Sequence, residues 1–148
     1  MIFSLELEKQ LLAGLIKYPH KYSDISTLTT SDDFYSVESV VHKTIFNTLA
    51  QAIENSEAVN EATISHRVLS LGISFEDNIS VGDYINSLGL IKINENFILN
   101  VAKELKKLSI RRELSACGEN ISKAMHKLDS SESFDDIIAK ADKLYNGQ

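Results

Sequence analysis

Residues 94–128 read NENFILNVAKELKKLSIRRELSACGENISKAMHKL, and their apolar positions return at intervals of three and four almost without a break. Ile98, Val101, Leu105 and Leu108 form one stripe; Ile110, Leu114, Cys117, Ile121, Ala124 and Leu128 continue it on a shifted line. That spacing is one face of an α-helix. At about 1.5 Å per residue the helix would extend about 50 Å, several times the length of a mean globular helix. It must leave its globule, break near Gly118, or pack on another chain. The polar run Asp129–Ser133 ends the pattern, and Ser133 with Asp136 makes a capping-box-like pair. A last helix follows with Phe134, Ile137, Ile138, Ala141, Leu144 and Tyr145 on its apolar side. Two such helices joined by a short loop predict an antiparallel hairpin. A hairpin has few residues to cover both of its sides, so its surplus apolar surface points to a partner or a second subunit.

Upstream of residue 94 the same periodicity recurs in shorter pieces. Leu7, Leu11, Leu12, Leu15 and Ile16 line a first helix from about Ser4 to Lys17. Pro19, the single proline, opens a short second helix through Tyr22, Ile25 and Leu28. Val41, Ile45, Leu49 and Ile53 line a long third helix from about Val37 to Glu54. A fourth covers about Glu61 to Leu71, with Ile64, Val68 and Leu71 as its buried candidates, and Gly72 ends it. Residues 73–79 show no period and read as a loop. Ser80 and Asp83 start a fifth helix that carries Tyr84, Ile85 and Leu88 and stops at Gly89. No period-2 alternation is sustained, so the fold class is all-α. The expected domains are a helical globule over 1–92 and a protruding helical hairpin or linker over 93–148 that mediates oligomerisation.

Composition excludes several classes. At 148 residues and 43% hydrophobic, the chain can bury a real core. A net charge of −6 and a pI near 5.2 argue against a free-standing nucleic-acid binder driven by counterion release. The single cysteine, Cys117, forbids a disulfide within the chain and suits a reducing cytoplasm. The start, Met1-Ile2-Phe3-Ser4-Leu5-Glu6, is not a signal peptide, and no apolar run reaches the roughly 20 residues of a membrane span.

The search for chemistry returns little. No G-x-x-x-x-G-K-[ST] phosphate loop is present, so these residues do not hydrolyse nucleotide by that route. His20, His42, His66 and His126 are scattered, without metal-ligand spacing. His42 reads as a helix-surface or core-edge residue. The pairs Asp32-Asp33 and Asp135-Asp136 fall at expected helix starts, where carboxylates meet free N–H groups, and read as caps. The Tyr and Phe residues mostly fall on apolar stripes and read as core rather than as base-stacking platforms. Lys103, Lys106, Lys107, Arg111 and Arg112 form the one basic concentration. Within it, Lys103, Lys107 and Arg111 repeat at i, i+4 along one side; this is either a solvated face or a contact for DNA or an acidic partner.

The residues then carry a resemblance. Leu7-Glu8-Lys9-Gln10-Leu11-Leu12-Ala13-Gly14-Leu15-Ile16 resembles the L-E-x-x-x-L-x-G-x-[LI] opening of DnaB-type replicative DNA helicases. Asp33-Phe34-Tyr35, then His42, Ile45 and Phe46, is similar to the family's D-F-Y…H-x-x-I-F pattern. Val59-Asn60 to Ile64 resembles V-D-x-x-T-[LI], with Asn60 in place of Asp. Gly82-Asp83-Tyr84-Ile85-Asn86-Ser87-Leu88 is similar to G-x-x-Y-L-x-x-L, with the glycine one residue nearer the tyrosine. Asn96 through Arg111-Arg112-Glu113-Leu114, and Ser133 to Tyr145, resemble the family's closing helices. The likeness runs through nearly the whole chain in order.

The resemblance implies the N-terminal, non-catalytic tier of a hexameric helicase ring, in which domains pair through their hairpins and three pairs form a collar. It implies primase and a helicase loader or initiator as partners, DNA passing through the ring, no membrane, and a cytoplasmic bacterial or phage replisome. This fragment would not be an enzyme and would hold no cofactor or metal; ATP and Mg would belong to a C-terminal ATPase of the parent. On that reading Leu114, Cys117, Ile121, Ala124 and Ile138 line hairpin–hairpin or primase-facing surfaces, and Tyr84 is a partner contact, against the alternative that Tyr84 and Ile121 are intramolecular core. A free-standing helical replication adaptor and a helicase-binding domain of a primase are the other readings, and a DNA-binding helical regulator is a third of a different class.

Overall fold

The computed structural model describes residues 2–36, 38–73, 80–127, 138–139 and 141–143. Among these every regular element is helical. The chain divides into two compact units, Met1–Ser109 and Ile110–Gln148.

The first unit begins with α1, Leu5–Lys17, capped by the Ser4 hydroxyl, which accepts from the Leu7 N–H at 3.2 Å. Pro19–Lys21 makes one 3₁₀ turn into α2, Tyr22–Ile25. A second 3₁₀ turn, Ser31–Asp33, leads to α3, Ser39–Glu54. Helix α4, Glu61–Ser70, has a reciprocal cap: Asn60 Oδ1 accepts from Thr63 N–H at 2.9 Å, and Thr63 Oγ1 accepts from Asn60 N–H at 3.1 Å. Asn60 thus supplies the cap of this helix through its side-chain amide oxygen. Helix α5, Val81–Gly89, starts from Ser80, whose hydroxyl accepts from Asp83 N–H at 3.4 Å. A 3₁₀ turn, Glu95–Phe97, leads into α6, Ile98–Lys127.

The apolar stripes meet where the periodicity predicts. Leu11, Leu12 and Leu15 of α1, Ile45 and Leu49 of α3, Ile64 of α4, and Ile85 and Leu88 of α5 are fully buried in one cluster. Helix α1 packs on α3 and α5, α3 on α4, and α4 on α5. Ile98, Val101, Ala102 and Leu105 place the first turns of α6 in the same core. Gly14 makes room for them. A Cβ there would lie 2.8 Å from Ile98 Cγ1, closer than real side chains approach, so the absent side chain is what lets α6 begin against α1.

The second unit begins inside α6. Helix α6 runs unbroken through Gly118, around which a Cβ would meet nothing within 4 Å. None of its residues from Ile110 to Lys127 is buried. Of the expected final helix, 138–139 and 141–143 are helical; the Asp129–Ser133 loop, the Ser133 and Asp136 cap, and the rest of that helix lie outside the described residues, as do 74–79 of the expected loop.

Two expectations about burial are corrected. Leu71 is 56% exposed, because α4 ends at Ser70 and Gly72, at φ +69°, turns the chain away before Leu71 can join the core face. Of the aromatic residues assigned to the core, Phe34 and Phe46 are buried, but Tyr35 and Phe97 are 55% and 56% exposed.

Two of the helical glycines, Gly14 and Gly118, differ in a measurable way. Gly14→Val should lower the urea-unfolding free energy by about 2 kcal/mol or more through overpacking against Ile98. Gly118→Ala, in open space, should leave it unchanged or raise it by up to about 1 kcal/mol through helix propensity.

Candidate functional site

Three polar side chains sit on apolar stripes and meet in the first unit. Glu8 lies on the α1 face shared by Leu11, Leu12 and Leu15; His42 lies on the α3 face shared by Ile45, Phe46 and Leu49; Tyr84 neighbours Ile85 and Leu88 on α5. Glu8 and His42 are both 0% exposed. Glu8 Oε2 accepts from the Tyr35 and Ser36 backbone N–H groups, each at 2.9 Å, and Oε1 accepts from Ser36 Oγ and His42 Nδ1, each at 2.7 Å. His42 Nε2 lies 2.5 Å from the Tyr84 hydroxyl. Phe34 closes the group, its ring centroid 6.2 Å from that of His42 and 5.2 Å from that of Phe46.

The electrostatics fix the roles. Burial alone would raise the Glu8 pKa, but the bonds from His42, Tyr35 and Ser36 outweigh it and hold the carboxyl below its ordinary value of 4.5. An ionised carboxylate only accepts, so His42 Nδ1 carries a proton. The Tyr84 phenol is pushed well up, first by burial and then by the negative charges of Glu38 and Glu8. It therefore keeps its proton at neutral pH and can donate to His42 Nε2. The resulting chain, Tyr84 to His42 to Glu8, resembles an acid–base relay in composition but not in availability. Both ring nitrogens are engaged, the carboxylate has four donors, and the phenol is too weak an acid to act as a nucleophile. What the arrangement does is pin α1, α3, α5 and the Tyr35–Ser36 backbone to one another.

His42 is thus buried rather than at the helix surface, and Glu8 is a core residue that the motif pattern alone does not reveal. The signal was present: a glutamate and a histidine each occupy the apolar stripe of its own helix, and charged groups are rarely buried unless paired. Asp33 caps its 3₁₀ turn as expected, accepting from Thr30 N–H at 2.9 Å. It also receives Lys106 Nζ at 2.9 Å while only 1% exposed itself, so Lys106 is tied to the core unit and is not part of a free basic face. Lys103, Lys107 and Arg111 are exposed, and Lys107 bonds Glu104 at 2.9 Å.

The structure separates the remaining expected contact residues. Tyr84 belongs to the first unit, half-buried, with its hydroxyl on His42. The others belong to the second: Leu114 is 62% and Ile138 48% exposed, and Cys117, Ile121 and Ala124 are half-buried. Among the described residues no cluster of three or more His, Cys, Asp or Glu suits a metal ion, and no helix is long and apolar enough to cross a membrane.

The network has a signed pH dependence. With the folded Glu8 pKa lowered, the unfolded chain takes up the proton first on acidification, so the contribution of Glu8 is complete above about pH 4.5 and is lost as pH falls through the folded value. Glu8→Gln should cost about 3 kcal/mol at pH 7 and flatten the decline of stability below about pH 5. Tyr84→Phe should cost about 1–2 kcal/mol by leaving His42 Nε2 without its partner. Urea unfolding followed by circular dichroism from pH 7 to pH 3 reads all three chains.

Comparison with known proteins agrees with this architecture. Residues 1–107 match the sequence profile of the DnaB-like helicase N terminal domain. No curated protein sequence matches the chain. Among solved structures, the N-terminal domain of DnaB helicase from Mycobacterium tuberculosis superposes with a TM-score of 0.77 at 14% identity, over 97% of this chain and 96% of that one. The all-helical fold is common to both. The profile match spans α1 to α5 and the buried start of α6, the elements that carry Glu8, His42 and Tyr84, and the chain belongs to the family of DnaB-like helicase N-terminal domains.

Proposed function

We propose that this domain is the assembly and docking module of a hexameric replicative helicase, supporting the ring and recruiting primase and the helicase loader or initiator. One observation carries the reading: within a member of this family, α6 continues for eighteen residues past the core unit, from Ile110 to Lys127, without burying any of them. Ile110 and Leu114 are 47% and 62% exposed, and Ile138 is 48% exposed. Apolar side chains left in water along a regular helix favour a partner over solvent. A second copy offers the same stripe, and isologous pairing covers both at once.

On this reading Leu114, Cys117, Ile121, Ala124 and Ile138 contact the second copy or primase. The Tyr84 ring, half-buried and held by His42, would offer its outer edge to a partner. Lys103, Lys107 and Arg111 would face an acidic partner or DNA passing through the ring. ATP and Mg would act in a separate motor domain of the parent helicase, in the cytoplasm, since the phosphate loop is not in these residues.

Ile121→Asp tests the proposal. Light scattering should show the self-association of the chain weakened about thirtyfold or more, the effect of losing a hot-spot residue, and retention of the cognate primase should fall with it. Unchanged mass and unchanged primase retention in a variant with wild-type circular dichroism would overturn it. Binding of single-stranded DNA by the isolated chain should be weak at 150 mM salt; tight, steeply salt-dependent binding would favour a DNA-binding regulator instead.

A further inference from the structure

We propose that the polar cleft between the α2 region and α3 is a docking site for an arginine side chain of a partner polypeptide, with Glu54 as its charge partner. The cleft has a volume of about 350 Å³, room for a guanidinium and part of its stem. Its lining is mostly hydrogen-bonding, with hydroxyls from Tyr22, Thr29 and Ser31, amides from Asn47 and Gln51, and the Glu54 carboxylate, beside Phe46 and Ala50. No lysine, arginine or histidine lines it. An anionic ligand would therefore meet one negative charge and no positive one.

Three further observations select the cation. Thr29, which lines the cleft, is only 2% exposed, and its Oγ1 has no hydrogen-bond partner among the described residues, which leaves a hydroxyl with two lone pairs for a donor. Glu54 Oε1 accepts from the Tyr22 phenol at 3.0 Å. That bond fixes the carboxylate at the mouth and uses one of about four acceptor positions. The Tyr22 and Phe46 rings stand 6.3 Å apart at 55°, so aromatic surface borders the polar lining. A planar group with five donors and an affinity for ring faces matches scattered acceptors beside an aromatic wall. A compact, strongly hydrated ammonium matches them less well. The net charge of −6 favours approach of a cation from a distance. The cleft lies wholly in the first unit, apart from the α6 contacts proposed above, so the two ideas stand or fall separately.

The test uses the whole chain, ¹⁵N-labelled, titrated with N-acetyl-arginine amide, N-acetyl-lysine amide and N-acetyl-citrulline amide. The arginine compound should produce saturable shifts at Thr29, Thr30, Ser31, Asn47 and Gln51 in the millimolar range, with the exposed ion pair supplying only part of the affinity beside the hydrogen bonds and the ring contact. Citrulline, equal in shape without the charge, should bind about tenfold more weakly, and lysine between the two. Glu54→Gln keeps an acceptor for the Tyr22 phenol and changes an exposed side chain, so it should fold normally while weakening the arginine compound about tenfold. Absence of saturable shifts, shifts confined to other residues, equal binding of citrulline or of lysine, or undiminished binding by a folded Glu54→Gln would each overturn the assignment.

Discussion

A carboxylate sealed from water must be given hydrogen-bond donors or it takes up a proton, and the interior of the first unit is arranged to give them to Glu8. The two backbone donors come from the Tyr35–Ser36 segment, which is therefore held in one position against α1. The side-chain donors come from Ser36 and His42, and His42 in turn engages Tyr84. One anion thus sets the relation of α1, α3 and α5. Apolar stripes alone specify which faces turn inward, but helices that meet only through aliphatic side chains can slide and rotate at small cost. A saturated polar network tolerates far less displacement, because each lost bond leaves a buried group unsatisfied.

The same division between general and specific forces runs through α6. Its backbone is regular from Ile98 to Lys127, and local physics treats its two halves alike. Their surroundings do not. The first half fits beside Gly14 and fills the core with Ile98, Val101 and Leu105, and Lys106 bonds the buried Asp33. In the second half apolar residues stand at comparable spacing, and none of them is buried. The chain thus joins a packed globule to a helical continuation on which Ile110 and Leu114 stay exposed.

Exposure also separates the polar features that have work within the fold from those that do not. Asp33, Glu8 and His42 are consumed by the structure. Glu54, Asn47 and Gln51 remain at the surface around a cleft that lacks any cation of its own. Their residue types are ordinary for a helix exterior, and only their convergence with Tyr22 and the buried Thr29 gives them a common chemistry.

The sequence by itself determined the helices, their order and most of their buried faces, because periods of three and four, a cap such as Ser80, and the stop at Gly72 act over a single turn. It also carried the family, in motifs spread in order along the chain. Only the tertiary structure decided that Glu8, His42 and Tyr84, far apart in sequence, share one hydrogen-bonded chain, since pairing between stripes depends on how helices rotate against each other. Only the structure decided where α6 passes out of the core, at Ser109, because the helical period is the same on either side and burial depends on what stands opposite. And only it showed that Leu71, on the right stripe, misses the core by one residue of helix.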